Sequence, residues 1–195
     1  MRWLRPAQWL RGGPDRVSGS VEVSRLGAVP RRGAASTLAA MAGRFELFSD
    51  GACSGNPGPG AWAFILRGDG IDGEIAKSGF EAATTNNRME LMAIIQGLEA
   101  VSERGAVVDV VSDSEYAVKG LTEWLDGWKS RGWKNSRREP VKNDDLWKRL
   151  DELRSRHRLQ VSWVRGHEDH PENNRCDRMA VKEIEQRTGQ RGARG

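Results

Sequence analysis

Cysteines and long apolar segments are both scarce in this sequence, and each scarcity excludes a class of protein. Two of the 195 residues are cysteines, Cys53 and Cys176. That number is too small for a disulfide scaffold or a cysteine-rich zinc site, so we predict two free thiols in a reduced, intracellular protein. The chain has no run of about 18 apolar residues, and no membrane-spanning helix is therefore expected.

Lysine is absent from residues 1–43, which distinguishes this leader from the rest of the chain. The leader carries seven Arg and two acids, whereas residues 44–195 hold the other 24 bases and 25 acids of a chain with net charge +4. Because the main part of the protein is nearly neutral, a nucleic-acid site there would have to be a local basic patch.

The leader also lacks sustained hydrophobic periodicity and the apolar region of a secretory signal, so we predict that it is disordered. Two alternatives stay open for its origin. An Arg-rich, acid-poor segment is typical of a mitochondrial transit peptide, and translation could instead start at Met41, directly before the first predicted strand. We expect a cytoplasmic protein, or a mitochondrial one if the leader is a transit peptide.

From residue 44 onward, strand and helix patterns follow one another with short connections. Strands are predicted for "RFELFSD", "AWAFILRG", "GEIAKSGFEA", "AVVDVVSD" and "LQVSWVRG". Helices are predicted for "NNRMELMAIIQGLEAVSERG", "SEYAVKGLTEWL", "NDDLWKRLDELRSRH" and "PENNRCDRMAVKEIEQR". This order indicates an α/β fold, a mixed sheet with helices on its faces, in one domain over residues 44–187. Residues 188–195 are predicted to be a mobile tail.

The stretch "SDGACSGNPG" (residues 49–58) joins an acid to a segment with few side chains. Asp, Gly, Asn and Pro are common turn residues, which favours a plain turn. The alternative is that Asp50 ends a strand beside a bare backbone that another molecule approaches closely.

Three further acids have comparable positions. Asp113 ends a predicted strand, Glu90 lies in the first turn of the long helix, and Asp177 lies near the start of the last helix. Each has a local explanation. Glu90 would complete a capping box with Asn87. Asp113 would cap the next helix, and Asp177 would favour a helix dipole.

Convergence of the four acids would call for a different explanation. In open α/β sheets, ligands bind beyond the carboxyl ends of strands. Unpaired carboxylates brought together repel one another and raise each other's pKa values, and a hard divalent cation relieves that repulsion. All-oxygen ligation without a His or Cys cluster is the pattern for Mg²⁺ or Mn²⁺.

Four segments resemble the motifs of the ribonuclease HI family, the bacterial type 1 ribonucleases H with a basic protrusion. They are "DGACSGNPGPGAW", "TTNNRMEL", "SDSEYAVKGL" and "RGHEDHPENNRCDRMA", in order between about residues 44 and 185. The resemblance implies a ribonuclease H-like fold, an α/β architecture with a five-stranded mixed sheet flanked by helices. It also implies an endonuclease that hydrolyses the RNA strand of RNA/DNA hybrids, leaving 5′-phosphate and 3′-hydroxyl ends.

The same resemblance implies a two-metal active site. Its ligands to two Mg²⁺ ions, with Mn²⁺ as an alternative, would be Asp50, Glu90, Asp113 and Asp177. Asp50 would bridge both ions, and Asp177 would help hold the ion that activates water. Glu90 and Asp113 would hold the ion near the leaving group. His167 matches the family's catalytic histidine and would move a proton near the scissile phosphate, because histidine titrates near neutral pH.

The resemblance further implies positions that contact the hybrid. Those that match readers of the RNA-strand 2′-hydroxyl groups are Gly51, Cys53, Asn86 and Glu90. Those that match a pocket for a DNA-strand phosphate are Asn56, Thr85 and Arg88, and Asn87 of the same motif is expected to contact substrate too. Glu115 departs from the pattern, since some relatives carry Gln there, and the exchange keeps an acceptor but loses a donor.

Residues 124–142, the basic handle, contain three Trp and six bases against two acids. One interpretation is a helix that packs its tryptophans on the core, with the bases as a solvated face. The other is a platform for a nucleic-acid backbone, and the resemblance implies a protrusion that binds the DNA strand. Trp124 and Trp128 are expected to be structural as well as contacting. The expected exposed contacts are Lys129, Arg131, Trp133, Lys134 and the Arg137–Arg138 pair.

Two competing functions remain to be weighed against a nuclease. A hybrid-binding module without cleavage predicts a missing acid, yet all four are present. An integrase or transposase would carry three acids in another pattern and extra DNA-binding domains. We expect a monomer whose partner is an RNA/DNA hybrid and not a membrane.

Overall fold

The computed structural model describes residues 42–166 and 170–189. The predictions for the leader before residue 42, for His167 and for the tail beyond Gly189 lie outside these residues. The described strands are β1 (Arg44–Cys53), β2 (Gly58–Gly68), β3 (Ile75–Thr84), β4 (Val107–Ser112) and β5 (Arg158–Trp163). The helices are α1 (Asn86–Ala100), α2 (Glu115–Lys119), a π-helical turn (Gly120–Trp124), α3 (Leu125–Ser130), α4 (Asp144–Arg156) and α5 (Pro171–Thr188).

The five strands form one mixed sheet, as predicted, and their order in it is β3-β2-β1-β4-β5. β1, β2 and β3 pair antiparallel, whereas β4 runs parallel to β1 and β5 runs parallel to β4. The parallel pairing of β1 with β4 ends at Phe48 and Val111. The carboxyl ends of these two central strands therefore lie at the same edge of the sheet, where Asp50 and Asp113 follow.

Side chains alternate across β1, and each face of the sheet has its own core. Leu47 packs with the buried residues of α1 and α4, including Leu91 and Trp147. The next residue, Phe48, packs on the opposite face with Ala180 and other buried residues of α5. Because helices cover both faces, β1 is buried from Leu47 to Gly51, which is typical of a central strand. Arg44 and Glu46, near the start of β1, are exposed.

The turn residues after Asp50 suggested that β1 ends there, but the strand continues. Strand pairing continues to Cys53, which lies opposite Gly60 of β2. A Cβ atom at Gly51 would collide with the backbone of Met89 and Glu90, so the missing side chain admits α1 against the sheet. The absence of a side chain at Gly51 thus allows α1 to pack closely against the sheet. The loop after β1 consists of residues 54–57 only.

No helix in the described ranges has the length and apolar character that crossing a bilayer requires.

Candidate active site

Asp50 lies in β1 two residues beyond the last β1–β4 pair, and it is 8% exposed. Its Oδ1 accepts a hydrogen bond from the Gly51 backbone N at 2.7 Å. Burial raises the pKa of Asp50 well above its usual range, and the negative charges of Asp113, Asp177 and Glu90 raise it further. The fold therefore brings these four carboxylates into electrostatic contact, and we call them the carboxylate site.

Glu90 is held by two polar neighbours. Its carboxylate accepts a hydrogen bond from Asn86 Nδ2 at 2.8 Å and another, short one from Ser114 Oγ. Burial raises the pKa of Glu90, and Asp113 adds to that effect. Ser114 therefore fixes the carboxylate orientation from the neighbouring strand end, a role that the sequence analysis did not anticipate.

The three local explanations offered for these acids are wrong. The N-cap of α1 is Thr85, no acid lies in the first turn, and no side chain caps it, so Glu90 and Asn87 form no capping box. Asp113 does not cap α2, because Ser114 accepts the hydrogen bond from the Ala117 backbone N at 3.2 Å. The sequence could have predicted Ser114 as the N-cap, since serine is among the best N-cap residues and directly precedes the helix.

Asp177 is the seventh residue of α5, beyond the first turn where a helix dipole acts. Its neighbour Cys176 is fully buried and directs its thiol to the Phe48 carbonyl oxygen at 3.4 Å. This contact seats α5 on β1 close to Asp50. Burial and the charge of Asp50 raise the pKa of Cys176 to about 12. Cys53 and Cys176 are both free, as predicted.

The donor set fits a hard divalent cation. Carboxylate oxygens are the ligands that Mg²⁺ prefers. Burial and then the nearby carboxylates raise the pKa of Asp50, and a cation would offset both costs of its charge. Within residues 42–166 and 170–189, no three His, Cys, Asp or Glu side chains already stand close enough together to hold a metal ion. Glu90 is instead hydrogen-bonded to Ser114 and Asn86, so metal binding would require the Glu90 carboxylate to reorient.

Most of the expected hybrid-contacting positions lie in the β1–β2 loop region and at the start of α1, two segments that contact each other. The Cys53 thiol contacts the carbonyl oxygens of Gly58 and Thr84, both at 3.6 Å. Asn56 Oδ1 accepts a hydrogen bond from the Asn86 backbone N at 3.4 Å. The structure thus joins the β1–β2 loop, with Cys53 and Asn56, to the start of α1, with Thr85, Asn86, Asn87 and Arg88. Gly51, by contrast, is buried beneath α1.

Arg88 has a partner that the sequence analysis missed. Its guanidinium donates to both carboxylate oxygens of Asp145, at 3.0 and 2.8 Å. A phosphate bound by Arg88 would therefore compete with this acid of α4. Glu115 is exposed and accepts a hydrogen bond from Lys119 at 2.6 Å.

The basic handle is folded onto the core through its aromatic residues. Trp128 lies 5.3 Å from the buried Trp147 and 5.6 Å from Trp124, measured between ring centroids. Trp133 is half-buried against the core, with Lys148 Nζ 5.6 Å from its ring centroid. The expectation that Trp133 is exposed is wrong, because a turn with positive φ at Gly132 and Trp133 directs the chain back onto Trp128.

The bases of the handle differ in their surroundings. Lys129 Nζ lies 2.7 Å from Asp151 Oδ2 in an ion pair, and Arg131 donates to the Lys134 carbonyl oxygen at 3.3 Å. Lys134, Arg137 and Arg138 are exposed around a short hairpin closed by the Lys134–Pro140 bridge. The first interpretation of the handle, with tryptophans packed inward and bases on the surface, is therefore confirmed, and binding of a nucleic-acid backbone stays a prediction.

His170 precedes α5 and packs against Phe48 with its ring tilted by 38° and the ring centroids 5.2 Å apart. Its Nδ1 lies 3.9 Å from Glu172 Oε2 and makes no hydrogen bond.

Comparison with known proteins gives a consistent match over the described domain. The RNase H family profile matches residues 43–185. The chain is similar to "Ribonuclease H" of Paramagnetospirillum magneticum, with 56% identity over 139 residues, covering 71% of this chain and 88% of the relative. It is also similar to "Ribonuclease HI" of Pseudomonas syringae pv. tomato, with 51% identity over 149 residues, 76% of this chain and 97% of the relative. Among solved structures, LC9-RNase H1, a type 1 RNase H with the type 2 active-site motif, superposes with a TM-score of 0.64 at 29% identity, covering 74% of each chain.

Proposed function

The chain belongs to the RNase H family, and from that premise we propose that it hydrolyses the RNA strand of RNA/DNA hybrids by two-metal-ion catalysis. The products would carry 5′-phosphate and 3′-hydroxyl ends. The ribonuclease H activity itself follows from relatives that are more than half identical over most of their length. The two ions, their identity as Mg²⁺ or Mn²⁺ and the product ends are the parts that we propose.

One observation supports the catalytic proposal above the others. Asp50 is buried on β1, the central strand, and this burial together with three further carboxylates raises its pKa. Holding like charges together costs folding free energy, so such an arrangement is typical of a functional site. Asp50, Glu90, Asp113 and Asp177 would hold two Mg²⁺ ions, which when bound supply an activated water and neutralise the charge that develops on the phosphate.

The chain's own groups would prepare this chemistry. Ser114 and Asn86 orient Glu90 through their hydrogen bonds, and the burial of Asp50 excludes water from one side of the site. His167, assigned by its motif, would exchange a proton near the scissile phosphate.

Substrate binding would use two surfaces on the same protein. Residues 53–56 and 84–88 would contact the RNA strand and a DNA-strand phosphate beside Asp50. The basic handle would contact DNA-strand phosphates through its exposed bases, a sequence-independent interaction. Glu115 would contact the RNA strand as an acceptor alone. We further propose a cytoplasmic monomer whose catalytic domain spans residues 44–187.

Cleavage of four matched substrates tests this proposal: RNA/DNA, RNA/RNA, DNA/DNA and single-stranded RNA, each with Mg²⁺, Mn²⁺ or a chelator. We expect cleavage of the RNA/DNA hybrid alone, with products that a polymerase extends from their 3′-hydroxyl ends. Asp50→Asn should be inactive, whereas Asp109→Asn, on the neighbouring strand in a surface pair with Arg44 at 3.7 Å, should retain full activity. Binding without cleavage by the unmodified enzyme would favour the hybrid-binding module instead.

A further inference from the structure

Asp113 is contacted from two sides by the segment that ends β5 and follows it. The indole Nε1 of Trp163 donates a hydrogen bond to the Asp113 carbonyl oxygen at 2.9 Å. A Cβ atom added at Gly166 would lie 2.5 Å from Asp113 Oδ2, well inside van der Waals contact. Between these two contacts, the Val164 backbone N donates to the Ser112 oxygen at 3.1 Å, which keeps the two chain segments paired.

Trp163 is unusual because burial does not explain it. At 46% exposure, it is the one large apolar side chain in the described ranges that is classed as exposed. Strand alternation places it on the same face as Leu159 and Val161, which pack against the core. Trp163 lies one step beyond that core, paired with Ser112 at the end of β4, and its indole N–H donates to the Asp113 main chain.

We infer that Trp163 and Gly166 are positioning residues for Asp113. The inference rests on the proposed function, since that function gives Asp113 its task. The indole bond fixes the main chain at the point where β4 ends and Asp113 begins. The missing side chain at Gly166 leaves the space that Asp113 Oδ2 occupies. Together they hold the carboxylate beside Asp50 before any cation binds, which reduces the ordering that cation binding must impose.

Trp163→Phe tests this, because it keeps an aromatic ring and removes the N–H donor. Two titrations measure the effect: calorimetric binding of Mg²⁺ to the enzyme without substrate, and the Mg²⁺ dependence of hybrid cleavage. We expect Mg²⁺ affinity to fall about threefold to tenfold in both, as for the loss of one hydrogen bond. The KM for the hybrid and the maximal rate at saturating Mg²⁺ should change by less than about twofold.

Gly166→Ala should shift the Mg²⁺ midpoint in the same direction and further, since it displaces Oδ2 itself. Trp62→Phe is the matched control, because Trp62 is half-buried on β2 and its ring packs towards β3, on Phe64 with centroids 6.1 Å apart and against Gly79. Its Mg²⁺ midpoint should equal that of the unmodified enzyme.

Three results would overturn the inference. A raised KM with an unchanged Mg²⁺ midpoint would mean that the Trp163 ring contacts substrate. A lower Tm with an unchanged midpoint would mean that both residues act on folding alone. Absence of any Mg²⁺ binding by the unmodified enzyme would remove the task assigned to Asp113. If the unmodified enzyme binds Mg²⁺ but does not cleave hybrids, the proposed function fails, and the calorimetric comparison still decides the positioning role.

Discussion

The carboxylate site and the basic handle organise charge in opposite ways. In the site, burial and charges of the same sign raise the pKa values of Asp50 and Glu90. In the handle, opposite charges meet near the surface, as in the pair between Lys129 and Asp151 at 2.7 Å. The electrostatic energy of the site is unfavourable until a cation binds. The charges of the handle, in contrast, already interact favourably and remain open to solvent. Substitutions in the site should therefore change chemistry and stability, and those in the handle should change affinity.

The largest effect is expected at the centre of the site. Asp50→Asn removes the charge shared by all the proposed metal contacts, so kcat should fall by about 10²–10³-fold or more. Hybrid binding should survive in part, because the contacts of residues 53–56, residues 84–88 and the handle are unchanged. Steady-state cleavage together with a binding titration measures both, and near-normal turnover would refute the two-metal assignment.

The handle should show the opposite separation of binding and rate. Replacing Lys129, Arg131 and Lys134 together by Ala should raise KM about tenfold at low salt and leave kcat nearly unchanged. Each lost phosphate contact should reduce the slope of log affinity against log salt by about one unit.

Single variants sharpen this prediction. Lys134→Ala should lower the salt slope more than Lys129→Ala, because Asp151 already neutralises Lys129. A kcat that collapses with KM unchanged would instead show that the handle positions the scissile phosphate. An unchanged KM and salt slope would make the handle a solvated helix face.

In the absence of metal, the unmodified enzyme and the Asp50→Asn variant should differ in stability. The raised pKa of Asp50 means that its ionised form destabilises the fold at high pH. This penalty disappears as the pH falls through the folded-state pKa towards the unfolded value of about 3.9. Asp50→Asn should therefore melt at least about 3 °C higher than the unmodified enzyme at pH 8 in a chelator, with the difference closing near pH 4.

Addition of Mg²⁺ separates this explanation from a general packing effect. Mg²⁺ should raise the Tm of the unmodified enzyme and leave that of Asp50→Asn nearly unchanged. A variant that is less stable than the parent at pH 8 would show that Asp50 stabilises the apo fold.

The smallest effect is expected at Arg88. It belongs to the surface next to the carboxylate site, but like Lys129 of the handle it is paired with an acid. Asp145→Asn weakens the bidentate pair that occupies its guanidinium, so hybrid affinity should rise about twofold to fivefold, the range of a surface ion pair. The measurement is a binding titration in the Asp50→Asn background, with Asp144→Asn, whose partner is Lys148, as the control. An unchanged affinity would place the phosphate away from Arg88.

The sequence predicted the order of strands and helices because their periodicities are long and their boundaries carry turn residues. It failed where a distant contact overrides a local pattern. Asn87 and Glu90 have the spacing of a capping box, yet Glu90 bonds Ser114, which is 24 residues away. Gly51 looks like the start of a turn, yet it continues β1 because α1 packs against its bare Cα.

The same limit applies to the candidate site. The four carboxylates were identified from their motifs, whereas Asp145, Ser114 and Trp163 entered through contacts that span 57, 24 and 50 residues. Patterns of neighbouring residues carry no information about such distant pairs. The roles of these three residues could therefore be identified only from the three-dimensional structure.

The two thiols should differ sharply in their reaction with alkylating reagents. Cys176 is fully buried and its pKa is raised to about 12, so almost no thiolate exists at neutral pH and no reagent can reach it. Burial also raises the pKa of Cys53, but this residue is only half-buried and belongs to the surface formed by residues 53–56 and 84–88. A maleimide dye should therefore label the folded protein once, at Cys53, and its fluorescence would report when a nucleic acid covers that surface.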